Sequence, residues 1–290
     1  MLDLKPLSTK DVPLLKQYLG SWPRQNCDYS IVNILTWGRI YGNQYALWRD
    51  HLVIYNPKYA YVFYPVGPGL KSFELRELLD GFLEIDKAAE LILIPENWRE
   101  THPDLEDFFR LKEERDWADY VYAVDKMFNL SGKKLAKKKN LVSQFTRTYP
   151  DYHVLPVTPA KHEVLLRFTE KWKRERNAEG IYLNTEFQAI KNTLELWDEL
   201  PVEGIIICHQ HKISAYSVFS PINAGMVTIH FEKFDPDMKG SAQLINWETA
   251  RHLQGRYAWI NREQDMGLEG LRQAKLTYQP EFMVKFITGK

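Results

Sequence analysis

Cysteine is nearly absent from this chain of 290 residues: only Cys27 and Cys208 occur, and they stand far apart. With no ligand-spaced pair, a zinc ribbon or CxxC redox motif is excluded, and two thiols cannot frame a chain of this size with disulfides. Net charge is lacking too, because 38 Lys and Arg balance 38 Asp and Glu. Any affinity for nucleic acid or membrane must therefore come from a local patch, and no DNA partner is expected. No apolar run approaches the ~20 residues that cross a bilayer. The opening MLDLKPLSTKD has no apolar signal segment, so a cytoplasmic location is expected. The histidines are scattered, without HxxxH or HExxH; His209 and His211 lack a third ligand nearby, and no metal site is expected. GxSxG, Walker A and GxGxxG are missing as well.

What is present suits a folded α/β protein. Hydrophobic residues make up 44% and charged residues 26%, ordinary for a globular chain, and the length allows one large domain or two of ordinary size. Patterning predicts a short strand, helices over Val12–Leu19 and Tyr29–Tyr41, and an antiparallel meander over Tyr45–Arg49, Leu52–Tyr55 and Tyr59–Pro65. A helix at Phe73–Ile85, a buried strand at Leu91–Ile94, a helix at Leu105–Phe109 and a strand at Tyr120–Phe128 follow. A basic helix spans Lys133–Tyr149 and ends at Pro150-Asp151. The order then restarts: a strand at Tyr152–Leu155, helices at Pro159–Arg176 and Glu186–Trp197, and strands at Gly204–Cys208, Ile213–Phe219 and Met226–Lys233. After them come a helix at Ser241–His252, a strand at Tyr257–Ile260, a helix at Leu268–Lys275 and a strand at Phe282–Phe286. Each half can close one mixed sheet flanked by helices, with domains expected at 1–150 and 151–290.

Candidate chemistry concentrates between His230 and Pro280. Lys239-Gly240-Ser241-Ala242 lies at a strand-to-helix turn, where a glycine lets backbone N–H groups approach an anion and a helix N-terminus adds partial positive charge. A plain tight turn with a Ser cap explains the same residues. Tyr257–Ile260 alternates little and is expected to be buried on both faces. It delivers Asn261, Arg262, Glu263, Gln264 and Asp265 in a row at its end, where sites gather in open α/β sheets. Glu263 or Asp265 is a candidate general base if burial raises its pKa, and Arg262 a candidate fork for phosphate or carboxylate; a solvated loop with internal ion pairs is the alternative. Arg272 and Lys275, three apart on a helix, can grip a phosphate or face solvent. On the preceding strand Glu232 shares a face with Phe234, and Lys233 with Asp235, so Glu232 or Asp235 can poise an amine or form a surface ion pair. On the basic helix Lys133, Lys137, Asn140, Gln144 and Arg147 make a polar stripe, with Leu135, Leu141, Val142, Phe145 and Tyr149 toward the core. That stripe fits tRNA, a cofactor or lipid headgroups, or is simply solvated.

The combination of GKKLAKKKN, HFEKFD, KGSAQLINWETA and YAWINREQDMGLEGLRQAKLTYQP resembles a bacterial family of stand-alone relatives of the C-terminal domain of phosphatidylglycerol lysyltransferases. The likeness covers nearly the whole chain. It implies two tandem GNAT-like domains, as in Fem-type and lipid aminoacyltransferases, and transfer of an acyl or aminoacyl group from an activated ester. In the lysyltransferases the donor is an aminoacyl-tRNA and the acceptor a lipid hydroxyl, which here implies contact with anionic lipid. The resemblance places Lys239-Gly240-Ser241-Ala242 where a GNAT domain carries its pyrophosphate turn, with one Gly where a Gly-x-Gly pair is usual. The expectation is an acyl- or aminoacyltransferase in which Glu263 or Asp265 assists proton removal and Arg262, Arg272 and Lys275 bind donor phosphates or stabilise the developing oxyanion. An acyl-coenzyme A-dependent N-acetyltransferase and a non-catalytic binding module are the alternatives.

Overall fold

A computed structural model describes residues 2–175 and 181–290, in two compact units: Met1–Ala118 with Val284–Lys290, and Asp119–Met283. The division does not fall at the expected Pro150-Asp151. The chain leaves the first unit thirty-odd residues earlier, so the basic helix belongs to the second.

Unit 1 opens with β1 (Lys5–Pro6), α1 (Val12–Ser21) and α2 (Ile31–Tyr41), then β2 (Gln44–Trp48), β3 (His51–Asn56), β4 (Tyr61–Phe63), α3 (Ser72–Leu83) and β5 (Glu90–Pro95). The short α4 (Trp98–Thr101) and α5 (Leu105–Phe108) lead to β6 (Leu111–Glu113), which the sequence reading missed. Gly42 ends α2 in the left-handed region with φ of 73°, the usual glycine C-cap. β2, β3 and β4 form the expected meander, and β4 runs parallel to β5.

Unit 2 begins with β7 (Asp119–Ala123), where a longer strand, Tyr120–Phe128, was expected. The chain instead turns at Val124 into α6 (Val124–Asn129). Val124 and Met127 pack into the unit's core, and the Trp247 indole N–H holds the Phe128 carbonyl at 2.7 Å. Tertiary packing therefore overrides the β-propensity of an apolar run. A 3-10 turn at Lys133–Leu135 leads into α7 (Ala136–Thr148). Leu135, Val142 and Phe145 are buried, while Lys133, Lys137, Asn140 and Arg147 are exposed, as the stripe required. β8 (His153–Pro156), α8 (His162–Glu175) and α9 (Ile181–Glu195) follow; Arg176, the expected end of α8, lies outside the described residues. The meander of β9 (Glu203–His209), β10 (Lys212–Asn223) and β11 (Met226–Phe234) precedes α10 (Ser241–Leu253), β12 (Trp259–Asn261), α11 (Glu269–Leu276) and β13 (Phe282–Val284).

The expected final strand is two. After β13, β14 (Phe286–Gly289) joins the other sheet. The sheet orders are β1-β2-β3-β4-β5-β14-β6 and β13-β7-β12-β11-β10-β9-β8. Each contains one parallel pair, β4 with β5 and β11 with β12, and all other recorded pairings are antiparallel. β12 is less enclosed than its sequence suggests: Ala258, just before it, is exposed and Trp259 half-buried, and full burial begins at Ile260.

Candidate active site

The parallel pair of unit 2 holds for three residues, Met226 with Trp259, Val227 with Ile260 and Thr228 with Asn261. β11 then continues to Phe234 while the chain after Asn261 turns away, so the strands part and backbone edges and side chains face the gap. A bulge in β11 shapes this place. Phe219 opposes Ile229 and Val218 opposes Phe231, which makes His230 the extra, bulged residue in the register. Bulges re-aim side chains, and this one lets His230 reach Ser220 and Glu263.

The Ser220 hydroxyl lies 2.7 Å from His230 Nε2, and His230 Nδ1 lies 3.2 Å from Glu263 Oε1. With the Glu263 carboxylate accepting a hydrogen bond from the Nδ1 side, Nε2 is the ring atom that can accept one from the Ser220 hydroxyl. Ser220 is fully buried and the His230 side chain sealed, whereas the Glu263 side chain keeps 22% of its surface. Glu263 is thus the member of the chain that meets solvent.

Its backbone is held in an uncommon conformation, φ of 58°. Such strain persists only where the surroundings over-determine it, and four contacts do so. The Glu263 N–H donates to Asn261 Oδ1 at 2.7 Å, and the Tyr120 N–H donates to the Glu263 carbonyl at 3.2 Å. The Lys275 ammonium donates to the Glu263 carbonyl at 3.2 Å and also to the Arg262 carbonyl. Asn261 is itself fixed, its amide donating to the buried Asp119 carboxylate at 2.7 Å.

The other expected site residues divide between support and surface. Asp265 is fully buried and takes Arg272 in a bidentate fork, both contacts 2.9 Å, with the Tyr120 hydroxyl at 2.5 Å and the Gly267 N–H at 2.9 Å. Burial alone pushes its pKa up. Hydrogen bonds from Arg272, Tyr120 and Gly267 and the Arg272 charge outweigh that, and hold it well below the usual carboxylate range. A general base needs the opposite shift, so Asp265 is a structural anion. Arg272 is committed to it, and Lys275 to the carbonyls that shape the turn. Asp235 is buried under the Lys212 ammonium at 2.7 Å and caps its own turn through the Asp237 N–H at 2.9 Å.

Glu232 and Lys233 point to opposite faces, as alternation required. Glu232 meets Asn246 of α10 at 2.7 Å, and Lys233 meets Glu186 of α9 at 2.7 Å and lies over the Trp172 ring at 4.4 Å. Arg262 joins the Glu232 side, 3.0 Å from its carboxylate, and its guanidinium lies 5.3 Å from the centre of the Tyr278 ring.

The turn at Lys239-Gly240-Ser241-Ala242 has a packing explanation. Gly240 has φ of 94°, and a Cβ there would stand 2.4 Å from the Leu141 carbonyl of α7. The glycine admits a neighbouring helix backbone. Ser241 is buried, its hydroxyl donating to the Asp235 carbonyl at 2.7 Å; Lys239 is exposed and Ala242 half-buried.

Ser220, His230 and Asp119 join the site without any local sequence mark that singles them out. His230 and Glu263 are thirty-three positions apart and meet only through the parallel pair. The signal available was the pairing of two buried strands, each ending in polar residues. At the matching place in unit 1 the parallel pair runs out into Tyr64-Pro65 and Leu93-Ile94, none of them a histidine or a carboxylate.

Two mixed sheets, each with one parallel pair, give the chain a tandem GNAT-like fold. A tandem GNAT protein from the clavulanic acid biosynthesis pathway shares the fold at a TM-score of 0.51 and 10% identity, over 99% of this chain and 98% of that one. The particular family follows from the sequence: the chain matches phosphatidylglycerol lysyltransferase, C-terminal, over residues 20–288, and belongs to that family. A conserved protein of unknown function from Bacteroides thetaiotaomicron VPI-5482 is 31% identical with a TM-score of 0.91, covering 100% of this chain and 99% of that one. L-PGS from Bacillus licheniformis shows the same fold at 12% identity and a TM-score of 0.67, over 98% and 93%. Among the described residues no helix is long and apolar enough to cross a membrane.

Proposed function

We propose that this chain is an aminoacyltransferase that moves an aminoacyl group from aminoacyl-tRNA to a hydroxyl or amine acceptor such as a lipid headgroup. The observation that carries the reading is the Ser220–His230–Glu263 chain at the parting of β11 and β12, with Glu263 alone presented to solvent. Membership in a family described as phosphatidylglycerol lysyltransferase supports the choice of donor and acceptor. The acceptor oxygen or nitrogen bonds to the ester carbonyl carbon as its proton passes to the Glu263 carboxylate. The carbon–oxygen bond to the donor then breaks, and the proton returns to the departing oxygen. His230 is a positioning residue: it holds the carboxylate by Nδ1 and is itself held by Ser220. Coenzyme A as donor draws less support, because helix packing accounts for Gly240.

The test is transfer of radiolabelled amino acid from bulk aminoacyl-tRNA to phosphatidylglycerol vesicles by the purified chain, with acetyl-coenzyme A as a parallel donor. Glu263→Gln is expected to slow transfer roughly 10²–10⁴-fold with the melting temperature unchanged. A variant as fast as the parent would remove Glu263 from the reaction, and transfer from acetyl-coenzyme A alone would replace the donor.

A further inference from the structure

One lysine of the basic helix does not behave as its neighbours do. Lys134, Lys137 and Lys139 are exposed, but Lys138 is half-buried, its ammonium 4.4 Å from the centre of the Tyr278 ring. Arg262 approaches the same ring at 5.3 Å and the Tyr122 ring at 5.9 Å. Two cations therefore converge on one phenol, with Glu232 at 3.0 Å from Arg262 as the carboxylate paired there. Among the described residues Lys138 has no carboxylate partner. Burial, then the charges of Arg262 and Lys137, push its pKa below the ordinary lysine value, as expected for a partly buried cation beside like charges. Tyr278 is buried, and burial, opposed by the Arg262 charge and aided by Glu232, leaves its pKa raised, so it stays a donor. Its hydroxyl makes no hydrogen bond among the described residues.

We infer that Lys138, Arg262 and the Tyr278 hydroxyl form a binding site for a phosphodiester of an RNA strand. The inference deepens the aminoacyl-tRNA reading and rests on it for the identity of the RNA. A point ammonium and a planar guanidinium are the two groups that bind phosphate best, and the exposed lysines on either side of Lys138 continue the positive surface along the helix. RNA is favoured over a bilayer because α7 exposes no large apolar side chain, which a helix lying in a membrane interface requires.

The experiment is fluorescence anisotropy with a labelled single-stranded RNA ending in CCA, between 50 and 200 mM salt, on the full chain, Lys138→Gln, Lys138→Arg and the exposed control Lys139→Gln. Phosphatidylglycerol vesicles serve as the competing probe. Lys138→Gln is expected to weaken RNA binding about 10-fold and to lower the salt slope by about one. Lys138→Arg should keep affinity within about 3-fold, and Lys139→Gln should fall between. Equal affinity in Lys138→Gln and the parent overturns the site, as does vesicle binding that depends on Lys138 while RNA binding does not. Failure of the aminoacyltransferase reading looks different: RNA binding still depends on Lys138, but no aminoacyl group is transferred. Full transfer by Lys138→Gln, with unchanged RNA affinity, would remove the site and leave that reading standing.

Discussion

Asp265 shows how a residue chosen for chemistry can serve structure. Read along the sequence it is one of two acids at a strand end, equivalent to Glu263. In the fold it is sealed beneath Arg272 and Tyr120, and Glu263, two residues away, is left with solvent. What decides between them is the chain direction after Asn261, set by the positive φ of Glu263 and the Lys275 clamp; neither is written in residue type or spacing. A depressed carboxylate contributes stability that is fully present above its unfolded value near 3.8 and is lost as pH falls through the folded value. Arg272→Ala leaves a buried anion with one principal partner removed. It is expected to cost about 3 kcal/mol at pH 7 and to shift the acid-unfolding midpoint upward, both read by urea and pH titrations of circular dichroism. An unchanged acid midpoint would mean that Asp265 owes its depression to Tyr120 and the Gly267 N–H alone.

At the scale of elements, periodicity located the meanders, the basic helix and the helices α3 and α10, because burial of one face dictates those patterns. It failed where packing across sequence distance decides the outcome. The apolar run from Val124 to Phe128 reads as strand continuation, yet α10 captures it as a helix through Trp247. The Gly240 turn reads as an anion cradle or a plain capped turn, and neither reading signals that the close neighbour of its missing Cβ is the α7 backbone. α7 and α10 are thereby locked at a contact that tolerates no side chain. Gly240→Ala must relieve a 2.4 Å approach and hold alanine at positive φ; it is expected to destabilise unit 2 by roughly 1–3 kcal/mol. Chemical denaturation checks this, and a neutral effect would show that α7 can shift without cost.

For the molecule as a whole, the sequence announced two halves of similar order but misplaced their boundary. The turn at Pro150-Asp151 is a genuine local stop, since a helix ends there. The true division lies at Ala118, inside a stretch without glycine or proline, and is defined by which sheet each strand joins. Strand partners at long range leave no local mark. Ile287 is buried and opposes Ile94 and Glu113, so Ile287→Ala is expected to cost unit 1 about 2–5 kcal/mol. Hydrogen exchange should quicken at amides of β5 and β6 and stay unchanged in β9 to β11; equal acceleration in both sheets would mean the two units unfold as one.

The position of β14 also governs how the protein is made. Its residues leave the ribosome only after all of unit 2, yet they separate β5 from β6 in the sheet of unit 1. Domains generally fold in order of synthesis. Here the half that emerges first must wait with a hydrophobic strand edge open until translation has passed residue 289, whereas the half that carries the candidate active site can close before it.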